Sequence, residues 1–486
     1  MRYYYPVFKV LGGVLMLFGL TMAVPLGFSH FLHDGIEEGF ALSMAITIAM
    51  GAGMFLHCRH LDRELQPHDG FLLVTLVWTV LPVFGAIPLL LHIPGLSLTD
   101  AYFEAVSGLT TTGATVLTGL DKLPVSINVW RCFMMFLGGM GIIVLAVAIL
   151  PLLGVGGSQV FKTETPGPMK DDKLTPRIAE TARGLWGVYF TMAVACTLAY
   201  HAAGMSWVDA FIHMCSTISL GGFAAYDNSF AAFDSAAIES VAIVFMLLAG
   251  VNFALYFRVW QRGSPLALLY DLEARVFLGF MAACVLLLTP YLMSNGVYDD
   301  PWLALRHTAF NVISVATTTG FATQDYNQWP IFAPVLLLFL CGFVTCAGST
   351  GGGIKLRRSL LLLLQAQREF TRLLHPRAVR PVSLGGRPVD PQVLFSVQAF
   401  MLVYGAVTIV GTMLLLLSGL DIVTAFTAAV ASINNLGPGL GDMIGPSSNF
   451  QGLTDFQTWV TIALMLLGRL ELFAVLVLFT PQFWRR

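Results

Sequence analysis

Mostly apolar stretches of about twenty residues recur along the whole chain, among them 71–91, 133–153, 238–257 and 394–417. Each is long enough to cross the roughly 30 Å hydrocarbon core of a bilayer as a helix. Charged residues make up only 11% of the 486 and apolar residues 56%, whereas a soluble domain carries about a quarter charged. A cytosolic globular fold does not fit this composition. The chain is expected to be an all-α polytopic membrane protein. Its first apolar stretch, 7–28, is too long for a signal-peptide core and lacks a small-residue cleavage site. Many further spans follow it, so it reads as the first transmembrane helix. The seven cysteines show no paired spacing, and Cys132, Cys196, Cys284, Cys341 and Cys346 read as small buried hydrophobes.

Basic residues orient the spans. With the N-terminus in the cytoplasm, the cytoplasmic segments are 1–9, 58–70, 154–184, 258–275, 355–387 and 485–486. These hold 22 of the 26 Lys and Arg residues, leaving Lys122, Arg131, Arg306 and Arg469 for the opposite side and the membrane interior. This is a repeated positive-inside signal. The basic cluster at 355–387 anchors the inner face or docks a cytosolic partner or anionic lipid. Asp34, Glu37, Glu38, Asp299, Asp300 and Asp325 would face outside, either concentrating cations or simply solvating loops.

Beyond two leading helices (7–28 and 39–55, within 1–69), an order of elements repeats four times. A span is followed by a segment too short to cross, a polar glycine turn and a second span. The divisions are 70–153, 183–257, 275–387 and 388–486, with cytoplasmic linkers at 154–182 and 258–274. The turns read Thr110-Thr111-Thr112-Gly113, Ser219-Leu220-Gly221-Gly222, Thr317-Thr318-Thr319-Gly320 and Asn434-Asn435-Leu436-Gly437. Gly221 could replace Gly222 as the second reference glycine. Six positions before the glycines stand Ser107, Ser216, Ser314 and Ala431, and such internal repetition signals architecture. Asp100, Asp209 and Asp421 are expected to cap the short helices.

A short helix ending at mid-membrane needs protein or water around its end. Its C-terminus carries partial negative charge, which suits a cation. Glycine lets the following turn take positive φ, and a ring of backbone carbonyls can replace an ion's hydration shell. One such turn could be an ordinary helix end; four at similar spacing point to a cation filter. No acidic residue or histidine lies inside a turn, which argues against a transition-metal transporter. The histidines at 30, 33, 57, 60 and 68 are scattered, without a catalytic arrangement, so no enzymatic activity is expected.

These features together resemble the Trk/Ktr/HKT superfamily of potassium transporters, in particular its bacterial TrkH/TrkG-type membrane subunit, over essentially the whole chain. The resemblance implies a K⁺ filter at Thr111, Thr112 and Gly113; Ser219, Leu220, Gly221 and Gly222; Thr318, Thr319 and Gly320; and Asn435, Leu436 and Gly437. It implies an intramembrane gate loop beneath the filter, matched here by Gly348, Ser349, Thr350, Gly351, Gly352 and Gly353. Three consecutive glycines are in any case poor for a continuous helix, fitting either a mobile break or a packing kink. Lys355 is a gate-associated charge or an inner-face anchor. Arg469 lies well inside the last span, where a charge usually faces a wet path or a partner. It matches the arginine the family carries below its filter, although an ion pair with Glu471 or Glu239 is the alternative.

The resemblance further implies potassium uptake across a bacterial inner membrane, with K⁺ as the transported ion and no organic cofactor in this chain. It implies a homodimer with one pore per protomer and a cytosolic nucleotide-binding regulatory subunit. The chain has no phosphate-loop pattern of its own, and the bilayer, not nucleic acid, is its surroundings. A symporter with alternating access would also use discontinuous helices, but with inverted or paired repeats. A non-conducting receptor or assembly subunit is the reading from another class.

Overall fold

The computed structural model describes residues 4–59, 66–144, 174–262, 268, 270–378 and 381–485. The end of the expected 133–153 span and the first twenty residues of the expected 154–182 linker lie outside the described residues, as do parts of the 58–70 and 258–274 segments. Among the described residues, seven helices are long and apolar enough to cross a membrane, or up to nine if two bent pairs each count as one span. The protein is an all-α polytopic membrane protein.

Helices α1 (Tyr5–Thr21) and α2 (Ala23–Leu32) make one 28-residue span, and α3 (Glu37–His57) returns beside it. Lipid offers no hydrophobic drive for helix association, so close backbone approach at small residues supplies it. A Cβ on Gly12 would stand 2.6 Å from the Gly51 carbonyl oxygen, and one on Gly51 would stand 2.7 Å from that of Gly12. The turn between α2 and α3 uses Asp34, which accepts from Ser126 N–H at 3.0 Å and from the hydroxyls of Ser126 and Ser29. Burial pushes the Asp34 carboxyl up, but those hydrogen bonds outweigh it and leave the group below the usual carboxylate range.

The chain continues as α4 (Pro67–Gly85) and α5 (Ile87–His92), interrupted at Ala86 between Pro82 and Pro88. Next come α6 (Leu98–Leu109), α7 (Val125–Val144), α8 (Leu174–Ala202) and α9 (Trp207–Ser219). They are followed by α10 (Ala236–Gly250), α11 (Phe253–Arg262), α12 (Leu272–Ser294) and α13 (Pro301–Ala316). The last part holds α14 (Phe332–Phe343), α15 (Leu356–Leu374), α16 (Pro391–Leu417), α17 (Ile422–Ile433), α18 (Asp455–Arg469) and α19 (Phe473–Leu476).

Four of these, α6, α9, α13 and α17, are short and buried toward their C-terminal ends. Each packs against the helix that leaves the preceding turn: α9 on α7, α13 on α10, α17 on α14, and α6 on α18. The last contact closes the order on itself. Asp300 and Asp421 cap α13 and α17. In α6 and α9 the cap is a serine instead of the expected aspartate. Ser97 and Ser206 accept from the N–H of Asp100 and Asp209, each at 3.0 Å, and donate to their carboxylates at 2.8 and 2.7 Å. A hydroxyl can accept and donate at once, while the aspartate three residues in adds negative charge to the first turn.

Three spans differ from expectation. Helix α7 starts at Val125, eight residues before the apolar run, because Arg131 within it is neutralised by Glu104 and fully buried. The expected 238–257 span bends by 88° between α10 and α11. There the Gly250 carbonyl accepts from Cys346 N–H, and Phe253 N–H donates to Gly348. The last span bends by 106° between α18 and α19, with positive φ at Glu471 and Leu472. A two-residue hairpin also pairs Ser383–Leu384 with Arg387–Pro388 through Gly385 and Gly386, both at positive φ. All seven cysteines are buried and free.

Replacing Gly51 by leucine is expected to force α1 from α3 and to destabilise the protein by about 1–3 kcal/mol. The thermal midpoint of the purified variant in detergent measures it; an unshifted midpoint would refute the crossing as a tight contact.

Candidate functional site

The four short helices end in the same way. At the residue two before each reference glycine (Thr111, Leu220, Thr318 and Asn435) φ is 52°, 54°, 64° and 54°. The next N–H, on Thr112, Gly221, Thr319 and Leu436, returns to the carbonyl of Ser107, Ser216, Ser314 and Ala431 at 2.8–2.9 Å. This is a Schellman closure, which satisfies carbonyls that a helix end leaves open. Left-handed conformation at a non-glycine residue costs on the order of 1 kcal/mol. The closing hydrogen bond offsets roughly that amount. The repeat places Gly222, not Gly221, in register with Gly113, Gly320 and Gly437.

Gly113, Gly222 and Gly320 take φ of 85°, 84° and 87°. Gly437 does not share this positive φ; Pro438 follows it, and the residue before a proline is pushed toward extended backbone. The turns touch in chain order. A Cβ on Gly113 would collide with the Gly221 carbonyl oxygen, and one on Gly222 with that of Thr319. One on Gly320 would lie 2.9 Å from Pro438 Cδ and 3.3 Å from Gly437 N, and one on Gly437 2.8 Å from the Gly113 carbonyl oxygen. The fourth turn thus returns to the first. Gly113, Gly222 and Gly320 remain partly accessible, while the side chains of Thr111, Thr112, Ser219, Leu220, Thr318, Thr319, Asn435 and Leu436 are buried.

Those buried side chains hold the turns together. Thr110 pairs with Thr112 through their hydroxyls at 2.7 Å, and Thr317 with Thr319 at 2.8 Å. Ser219 Oγ donates back to the Cys215 carbonyl. Asn435 Nδ2 bridges the first and fourth turns, donating to Thr112 Oγ1 at 3.1 Å and to the Met465 carbonyl at 2.9 Å.

The loop between α14 and α15 lies against this assembly. Thr350 Oγ1 donates to the Ile218 carbonyl at 3.1 Å, and Gly352 N–H donates to Thr318 Oγ1 at 2.8 Å. A Cβ on Gly351 would meet the Thr317 carbonyl oxygen at 3.0 Å, and one on Gly352 would collide with that of Asn434. Gly348 and Gly353 take φ of 78° and 80°. Buried Ser349 donates to the Cys346 carbonyl at 2.7 Å. Lys355, at φ 76°, starts α15 and donates from Nζ to the Gly351 carbonyl.

Arg469 also reaches the loop: its Nη1 donates to the Thr350 carbonyl at 2.9 Å. It stands at the C-terminus of α18, not inside a continuous helix, where the dipole favours a cation. Neither acid offered as its partner pairs with it. Glu471 binds Arg358 at 2.5 Å, and Glu239 binds Arg306 at 2.8 Å. Arg469 Nε and Nη2 are buried without a hydrogen-bond partner among the described residues. The same residues contain no group of three His, Cys, Asp or Glu able to hold a metal.

Residues 36–486 match the family described as TrkH, cation transport protein. The chain belongs to the TrkH family. It is 45% identical over 482 residues to the Trk system potassium uptake protein TrkH of Halomonas elongata, with 99% of both chains covered. The Escherichia coli protein of the same name is 44% identical over 478 residues, with 98% of each covered. The crystal structure of the potassium transporter TrkH from Vibrio parahaemolyticus superposes with a TM-score of 0.91 at 41% identity, covering 100% of both chains.

One pairing in this TrkH-family chain escaped the sequence reading, which placed Arg131 only outside or within the membrane and did not single out Glu104. Glu104 of α6 and Arg131 of α7 form a fully buried ion pair at 2.6 Å directly behind the first turn. Their signal was two opposite charges inside apolar segments, which no spacing rule joins. Thr318→Val is expected to free the Gly352 amide and speed hydrogen–deuterium exchange across residues 348–353. Unchanged protection there would show that the Thr318 hydroxyl does not hold the loop.

Proposed function

We propose that this TrkH-family member conducts K⁺ through a selectivity filter formed by its four glycine turns, one from each of the units 70–153, 183–257, 275–387 and 388–486. The observation that carries this reading is the closed chain of contacts from Gly113 through Gly222 and Gly320 to Gly437 and back. Only glycine fits at each contact, so backbone and not side chains lines the centre. Carbonyls there, together with four converging helix C-termini, can replace the hydration shell of a cation. The similar Trk system proteins of Halomonas elongata and Escherichia coli are potassium uptake proteins, which supports K⁺ as that cation.

The loop 348–353 and Arg469 act as the barrier beneath. Arg469 binds the loop at Thr350 and keeps its buried Nε and Nη2 without a partner among the described residues, which suits a wet cavity under the filter. Its charge opposes cations, and its bond keeps the loop across their path. Lys355 and the Arg358–Glu471 pair hold the loop's far end. The chain works in a bacterial inner membrane with its N-terminus in the cytoplasm, as a homodimer regulated by a cytosolic nucleotide-binding subunit; the charge pattern and the family support this arrangement.

K⁺, Rb⁺ and Na⁺ fluxes into proteoliposomes under a set membrane potential test the reading, and a folded protein that carries none of them overturns it. Arg469→Ala is expected to raise basal K⁺ flux about tenfold or more, by removing both a charge and a loop contact; reduced flux in folded protein would reject the barrier. Gly113→Ser is expected to lower K⁺ over Na⁺ discrimination, because its side chain meets the Gly221 carbonyl. A wild-type selectivity ratio would rule the turn out as a filter.

A further inference from the structure

In three of the four turns, the backbone leaving the turn is tied to its own short helix by one recurring contact. Glu104, nine positions before Gly113, accepts from Val116 N–H, three positions after it, at 3.1 Å. Asn311, nine before Gly320, accepts from Thr323 N–H, three after, at 3.4 Å. Thr427, ten before Gly437, accepts from Leu440 N–H, again three after, at 3.0 Å. A carboxylate, an amide and a hydroxyl thus do the same task, which separates the contact from any one residue type.

The second turn breaks the pattern. His213 stands nine before Gly222, but its Nδ1 is engaged with the Asp209 carbonyl of its own helix at 2.8 Å. Its Nε2 has no hydrogen-bond partner among the described residues, and the ring sits edge-on to Phe230 and Phe233. The outgoing backbone of this turn is met from the neighbouring unit instead. Arg131 Nη1 donates to the Ala224 carbonyl at 3.4 Å, and its guanidinium lies 4.4 Å from the centre of the Phe223 ring. The same guanidinium binds Glu104 through Nε at 2.7 Å and Nη2 at 2.6 Å, and Thr115 Oγ1 at 3.2 Å.

We propose that these ties set the spacing of the filter carbonyls, and that Glu104 and Arg131 are positioning residues for ion selection, bracing the first turn and replacing the missing brace of the second. The proposal rests on the reading of the turns as a K⁺ filter. A fully buried ion pair is weak evidence for stability, since apolar groups of similar volume often serve as well. What this pair supplies, and apolar groups would not, is directional bonds to two adjacent turns. Selection between cations depends on the number and placement of coordinating carbonyls, and the ties act on the backbone that carries them.

The test compares K⁺ and Na⁺ fluxes of reconstituted full-length variants, each checked for a wild-type size-exclusion profile and thermal midpoint. Thr427→Val removes one tie without disturbing a charge. The double variant Glu104→Gln, Arg131→Gln removes both buried charges together, leaving neither unpaired. Each is expected to lower the K⁺ to Na⁺ flux ratio about fivefold, the effect of one hydrogen bond. A wild-type ratio in both, with only the thermal midpoint lowered, would make the ties structural and overturn the proposal. If the double variant does not fold, Thr427→Val decides alone. Gly113→Ser in the same assay separates the two readings. If it shifts the ratio and the brace variants do not, the brace fails; if none shifts it, the filter reading fails with it.

Discussion

A helix that stops in the interior of a membrane protein leaves its last carbonyls with no water to bond, and here four such buried ends meet. The same closure serves all of them, with a left-handed residue two before the glycine and an N–H returned to the carbonyl six before it. That closure decides where the glycines fall and why their neighbours are buried. It also decides what the loop beneath can touch. Gly352 bonds the hydroxyl of Thr318, itself one of the left-handed residues, and Asn435, another, spans to Thr112. Turn, loop and helix end are therefore parts of one hydrogen-bonded body.

Charge inside this body is handled by geometry more than by pairing. Arg131 and Glu104 neutralise each other behind the first turn, and Arg358 takes Glu471 beside the loop. Arg469 has the α18 terminus and the Thr350 carbonyl for company. A lone buried cation of this kind is expensive in a dry interior. Its persistence beside the loop fits the hydrated space proposed beneath the turns.

Much of this was legible in the residues. Apolar length announced the spans, and the recurrence of glycine turns announced the four convergent ends, even to the serines six positions earlier whose carbonyls the closures use. Gly348, Gly351, Gly352 and Gly353 announced an irregular segment. What was not legible depended on contacts across the fold. The shift of α7 to Val125 follows from Arg131 meeting Glu104, a partner 27 residues away. The break at Gly250 follows from Cys346 and Gly348 bonding its flanks. The end of α18 at Arg469 was hidden because the residues after it are as apolar as those before. Serine caps were missed because a capping serine and an aspartate three residues on look alike in a sequence, and only coordinates tell which atom accepts.

The first and third turns each carry a paired threonine hydroxyl, whereas Ser219 turns back on its own helix and Asn435 reaches to its neighbour. Because the turns touch in chain order, the two that match stand across from each other. The four helix ends share one closure, but the side chains around them do not: the first and third match, and the second and fourth differ from them and from each other. An assembly of four identical chains cannot make that distinction, since every substitution it accepts is copied into each quadrant. A single chain edits its quadrants separately, so one of them can lose a contact and borrow a replacement from next door, as the His213 quadrant does from Arg131.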